Sequence, residues 1–187
     1  MAAAFKWSIA NWHELVESGV LAEHRVELLE GEIIEMSPEG PMHSSTNYSV
    51  VEYFRKLLSN QAVIREAQPV TLDNSPHSRA SEPEPDVAVV SSPYTNYFTR
   101  HPYPQDIYWL VEISNRTLKL DLGQKSATYA RNGIPEYWII DLVNKQLIVH
   151  TQPSKDSYTQ VKALTAGTIS PQAFPDLVVS LNKMLLF

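Results

Sequence analysis

The sequence predicts one domain that mixes helices with strands, α/β in the broad sense (α+β), over residues 1–187. Three observations predict it. Two runs, Pro-Asp-Val-Ala-Val-Val at 85–90 and Ile-Tyr-Trp-Leu-Val-Glu-Ile-Ser at 107–114, are nearly continuous in apolar residues, as strands covered on both faces should be. Stretches 8–18, 44–59 and 117–132 carry apolar residues at helical spacing. With 43% hydrophobic and 19% charged residues over 187 positions, the chain can bury one sizeable core.

Taken in order, residues 8–18 form the first helix, with Ser8 as N-cap, Trp12, Leu15 and Val16 as its apolar stripe, and Gly19 as the stop. Residues 25–29 and 32–36 flank Glu30-Gly31, which predicts an N-terminal β-hairpin. The plain reading of Glu27 is a solvent-facing strand residue; the alternative is a carboxylate near a site. Pro38 and Pro41 break the chain, and Ser44 or Ser45 caps a helix to about 59 with Val50, Val51, Phe54, Leu57 and Leu58 inward. His43 then sits just before that helix, as a cap, a surface group or a ligand. Residues 62–65 and 69–72 read as a broken strand, and 73–85 as a polar loop. Residues 86–90 form a strand. Loop 92–105 holds Tyr94, Tyr97, Phe98 and Tyr103 with Arg100 and His101; it either packs on itself, forms a dimer contact or stacks on bases.

Residues 107–113 read as a central strand. Residues 117–132 follow as a helix stopped by Gly133, with Leu118, Leu122, Tyr129 and Ala130 on the packing face and Asp121, Lys125 and Thr128 on another. Residues 137–141, 146–151 and 157–162 are further strands. Residues 169–171 and 175–177 are loop-like, 177–179 a last strand, and 181–186 a short helix.

The composition excludes several classes. No run of 18 apolar residues exists, so no membrane span is expected, and the N-terminus lacks the cationic and apolar regions of a secretory signal. The absence of cysteine rules out disulfides and thiolate metal sites and suits a cytoplasmic protein. A net charge of −6 argues against strong nonspecific binding to nucleic acid, though carboxylates that hold metal ions add to that count.

The chemistry-bearing residues gather between 85 and 141. Asp86 and Glu112 stand at the ends of neighbouring strands, and Lys125 lies on the next element. Phosphodiester hydrolysis needs an activated water and shielding of phosphate charge, which hard cations supply through oxygen ligands. Asp86 and Glu112 can each offer a carboxylate oxygen, and Ile113 its backbone carbonyl. Lys125 can orient water and stabilise developing charge. Singly, each residue has a plainer reading: a loop Pro-Asp, a strand ending on Glu, and an Asp121–Lys125 surface ion pair.

In combination, these residues resemble the PD-(D/E)XK nuclease superfamily and, within it, the Uma-two family of restriction-endonuclease-like proteins. The matching stretches are Val-Glu-Leu-Leu-Glu-Gly-Glu-Ile at 26–33, His43, Glu-Pro-Asp-Val at 84–87, Leu-Val-Glu-Ile-Ser at 110–114, Asp-Leu-Gly-Gln-Lys at 121–125, and Tyr-Ala-Arg-Asn-Gly-Ile-Pro-Glu-Tyr-Trp at 129–138. The resemblance implies a restriction-endonuclease-like core, a mixed central sheet flanked by helices. It implies that Asp86 and Glu112 bind Mg²⁺ or Mn²⁺ and that Glu27 sits near them. The superfamily places a lysine two residues after the acid; here that position is Ser114, and Lys125 on the following helix matches the lysine this family uses instead.

The expectation is therefore a Mg²⁺-dependent endonuclease hydrolysing DNA, with Asp86, Glu112, Lys125 and Glu27 at the site. The alternatives are a nuclease-fold protein that binds or regulates without cleaving, and an oligomerisation module whose carboxylates form surface ion pairs. A homodimer is expected, because cutting both strands of a duplex takes two sites.

Overall fold

The computed structural model describes residues 4–72 and 80–185. Its centre is a six-stranded sheet in the order β3 (Val63–Glu66), β4 (Val87–Val90), β5 (Ile107–Ser114), β6 (Glu136–Asp141), β7 (Gln146–Ser154) and β8 (Ser157–Leu164). Only β5 and β6 run parallel; every other neighbouring pair is antiparallel, so the sheet is mixed as expected. A parallel pair needs a crossover, and the helical stretch 118–131 supplies it.

The two sheet faces are covered differently. Helix α2 (Pro41–Leu58) packs Val50, Val51, Phe54 and Leu58 against Val87, Val89, Trp109, Val111 and Trp138. The crossover packs Tyr129 and Ala130 against Ala88, Val90, Leu110, Tyr137 and Ile139. The alternation along β4 and β5 follows from the strand's two-residue period. Burying Phe54 and the two tryptophans alone contributes several kcal/mol, at roughly 25 cal/mol per Å² of apolar surface.

Outside the sheet, helix α1 (Ile9–Glu17) is capped by Ser8, whose hydroxyl accepts from the Asn11 amide. Trp12 is buried, but Val16, expected on the packing stripe, is exposed. A β-hairpin, β1 (Val26–Leu29) with β2 (Glu32–Glu35), turns at Glu30 and Gly31 with φ of 54° and 72°. A Cβ at Gly31 would stand 3.0 Å from Lys6 Cβ, so glycine serves both the turn and the close approach.

Several boundaries differ from the sequence reading. Helix α2 starts at Pro41, because a proline in the first turn gives up no needed hydrogen bond and Gly40 takes the cap position. His43 is consequently inside the first turn, not ahead of it. Residues 69–72 form no strand; Leu72 makes a single bridge to Ser81. Of the expected loop 73–85, residues 73–79 lie outside the described residues. Thr168–Ile169 (β9), read as loop, pairs with Val179–Ser180 (β10). The terminal helix is a 3₁₀ turn over Leu181–Lys183, with 186 outside the described residues.

The crossover departs most. It comprises α3 (Leu118–Leu120), a π turn (Asp121–Lys125) and α4 (Ser126–Arg131). The Ser126 amide donates to the Asp121 carbonyl, which also accepts from the Tyr137 hydroxyl at 3.2 Å. The wider turn shifts the helical phase by about one residue. Leu122, expected to pack, is therefore exposed, and Asp121 and Lys125 turn inward in its place.

Candidate active site

The site forms where β4 and β5 meet the crossover. Trp109, Val111 and Ile113 of β5 face α2, so Leu110, Glu112 and Ser114 face the other way. Glu112 and Ser114 are both buried, and they meet the two inward residues of the π turn. Lys125 Nζ donates to Glu112 Oε1 at 3.0 Å, and Ser114 Oγ donates to Asp121 Oδ2 at 2.5 Å. Thr117 Oγ1 also donates to Asp121 Oδ2 at 2.7 Å. Ser114 thus orients a carboxylate of the same crossover that brings Lys125.

The hairpin supplies the third side. Glu27 is buried, with Oε1 3.3 Å from Lys125 Nζ and Oε2 accepting from the Glu84 amide at 3.1 Å. The solvent-facing reading of Glu27 is wrong. The hairpin docks on the crossover through Glu30, which accepts from Thr128 Oγ1 at 2.8 Å and Arg131 Nη1 at 2.6 Å. That tertiary docking buries a residue whose strand pattern alone suggests exposure.

Asp86 precedes β4, where the Val87–Val111 register, continued by one step, sets it opposite Glu112. Its Oδ2 accepts from the Ile113 amide at 2.6 Å and lies 3.2 Å from His43 Nε2. Ile113 lines the same small cavity, of about 90 Å³, together with Glu27, His43, Asp86, Glu112 and Lys125. The expected residues Asp86, Glu112, Lys125, Glu27 and Ile113 therefore share one cavity, and the surface ion-pair reading of Asp121 and Lys125 fails. Sequence reasoning missed Tyr129, taken as core: its hydroxyl donates to Glu112 Oε1 at 2.8 Å. Its spacing of four residues from Lys125 was the available clue.

Electrostatics follow from burial. Burial alone would lower the Lys125 pKa, but Glu112, Glu27 and Asp121 outweigh it and hold the ammonium charged. Burial pushes Glu112 well up, opposed by Lys125 and reinforced by Asp86, Asp121 and Glu27. Burial likewise raises Asp121 and Glu84. His43 would be lowered by burial, yet its bond to Asp86 and the charges of Asp86 and Glu39 lift it above the ordinary imidazole value. Tyr129 is pushed far up by burial and by Glu112, so its phenol stays a donor.

Carboxylates thus outnumber cations here, and hard oxygen donors without sulfur suit Mg²⁺ or Mn²⁺. Among the described residues, no three His, Asp or Glu side chains already form a group that could hold an ion by themselves. Two carboxylates with a backbone carbonyl, the expected set, do not require such a trio.

The loop at 92–105 packs on itself. Tyr97 is buried with Arg65 and Arg100 over its ring at 5.6 and 5.5 Å, and Arg100 pairs with Asp106 at 2.5 Å. Tyr94 and Phe98 remain exposed, edge to face at 5.7 Å.

A mixed sheet with one parallel pair, its crossover helix lending a lysine to acids at the strand ends, defines a protein of the restriction-endonuclease-like fold class. The chain belongs to the Uma2 family, described as "Putative restriction endonuclease", which matches residues 12–182. It is similar in fold to the crystal structure of "a putative nuclease belonging to DUF820" from Anabaena variabilis. The TM-score is 0.67 and the identity 16%, over 88% of this chain and 91% of that one. No curated protein matches. Among the described residues, no helix is long and apolar enough to cross a membrane.

Proposed function

We propose that this protein is a divalent-metal-dependent endonuclease acting on DNA, built as one domain and working as a cytoplasmic homodimer. The observation that carries the reading is the buried Lys125 ammonium, 3.0 Å from Glu112 and 3.3 Å from Glu27, in the cavity that Asp86 and Ile113 also line.

Asp86 and Glu112, with the Ile113 carbonyl, would hold Mg²⁺ or Mn²⁺. When bound, such an ion shields phosphate charge and lowers the pKa of its water. The chain's own residues prepare that chemistry. The Ile113 amide and His43 fix the Asp86 carboxylate. Tyr129 fixes Glu112 and remains protonated beside it. Lys125 supplies a permanent positive charge at the point where charge develops on the phosphate, and it can orient the attacking water. Glu27 holds Lys125 together with Glu112, so the ammonium is positioned before substrate arrives.

The test is cleavage of plasmid, single-stranded and branched DNA at low salt with Mg²⁺ or Mn²⁺, alongside chelator controls. Cleavage should vanish with chelator and in Asp86→Ala and Lys125→Ala. Cleavage that persists in both variants would sink the assignment. No cleavage together with no metal binding would favour the alternative of a binding or regulatory protein on a nuclease fold.

A further inference from the structure

We infer that the large cavity beside the proposed catalytic one is a nucleobase pocket, and that the substrate is therefore unpaired or locally opened DNA. This inference rests on the nuclease reading. The cavity measures about 440 Å³ and is walled by Trp12, Leu21, Pro69, His13 and His101. Glu84 lines both this cavity and the one containing Asp86, Glu112 and Lys125, so the two adjoin across a single side chain. A nucleotide whose phosphate sat in the smaller cavity would have the larger one as the neighbouring space for its nucleoside.

The chemistry of the walls selects the base over a second phosphate. Glu17, Glu82 and Glu84 line the cavity beside His13, His24 and His101, and no lysine or arginine stands among the described lining residues to hold an anion. An uncharged base offers N–H donors to the Glu17 and Glu84 carboxylates, and flat faces to Trp12, Leu21 and Pro69. The polar groups are held in advance. Glu82 is 4% exposed; it accepts from Trp12 Nε1 at 3.2 Å and Thr71 Oγ1 at 2.6 Å, and its two oxygens lie 2.9 and 3.0 Å from His13 Nε2. His13 is thereby fixed at the rim, with the His101 ring 6.5 Å away. The volume lies within the range of small-molecule pockets and exceeds what side-chain packing leaves by chance. A base inside a stacked duplex cannot reach such a pocket; it must be swung out or already unpaired.

Deoxynucleosides test the pocket apart from catalysis, because they carry no phosphate. Titrating deoxycytidine and deoxyadenosine into the wild-type protein should shift the NMR signals of the Trp12 indole and the His13 and His101 rings. Val16→Trp, at an exposed rim position, should block those shifts while leaving the fold and metal binding intact. In the uncleaving Asp86→Ala protein, a single-stranded oligonucleotide should bind about tenfold tighter than its blunt duplex, and Val16→Trp should erase that preference. Nucleoside shifts with neither cleavage of any DNA nor divalent-ion binding would sustain the pocket and remove the nuclease reading. Cleavage with no nucleoside shifts, and equal affinity for duplex and single strand, would overturn the pocket and leave the nuclease intact.

Discussion

Strand β5 shows two unlike surfaces. Toward α2 it presents the side chains of Trp109, Val111 and Ile113, a row buried in the apolar core. Toward the crossover it presents Leu110, then Glu112 and Ser114, both buried among Lys125, Asp121 and Tyr129. One face holds the sheet together by packing. The other becomes ionic over its last two inward positions, where each charge costs stability unless its partner is in place. Stability and chemistry are therefore separated by a single pleat, and substitutions on the two faces should have opposite signatures.

The largest effect is expected at Lys125. Lys125→Met should lower cleavage by about a hundredfold to a thousandfold or more. It should also leave Glu112 and Glu27 without their cation, at a cost of about 3 kcal/mol near neutral pH. Glu112, already pushed up by burial, would then be raised further in the folded state. A carboxyl raised on folding binds its proton more tightly when folded, so this variant should regain stability as pH falls toward the ordinary carboxylate range. Urea melts at neutral and acidic pH check the slope; a pH-independent deficit would count against an ionic face.

On the apolar face, Phe54→Ala removes a ring packed at 5.6 Å on Trp109 and 6.0 Å on Trp138. It should cost about 3–5 kcal/mol in the same melts and leave the activity of the folded fraction unchanged. Specific activity that falls along with stability would break the separation of the faces. Tyr129→Phe tests the boundary, since its ring packs with the apolar cluster and its hydroxyl holds Glu112. It should cost about 1 kcal/mol of stability and weaken divalent-ion affinity about 10- to 100-fold by calorimetry.

The smallest effect should come from Asp106, away from both faces. Burial would raise its pKa, but Arg100 and the Tyr103 amide hold it below the ordinary value. A carboxyl depressed on folding adds stability that is present above its unfolded pKa and is lost as pH falls through the folded one. Asp106→Asn should therefore cost less than about 1 kcal/mol at neutral pH and nothing in acid, which calibrates the Lys125 series.

These contrasts also explain what the sequence could and could not reveal. Glu30-Gly31 announces its turn because both residues take left-handed backbone angles. The sheet's middle is legible because a strand covered twice must be apolar on both sides. Asp86, Glu112 and Lys125 are legible as a set, since the strand ends and the following helix must converge. The burial of Glu27 is not, because it depends on Glu30 gripping Thr128 and Arg131 from far along the chain. The phase of the crossover is not, because apolar spacing assumes a regular helix and the π turn breaks that assumption. The early start of α2 is hidden because Pro38 and Pro41 read as breaks in the chain, whereas Pro41 sits in the helix's first turn, where a proline is well accommodated.

The docking of the hairpin on the crossover makes the lysine's surroundings depend on distant parts of the chain. Glu30 and Thr128 stand 98 residues apart, and the hairpin they anchor carries Glu27 to 3.3 Å from Lys125, which also pairs with Glu112. A chain lacking the crossover would therefore carry Glu27 and Glu112 without the cation that pairs with both.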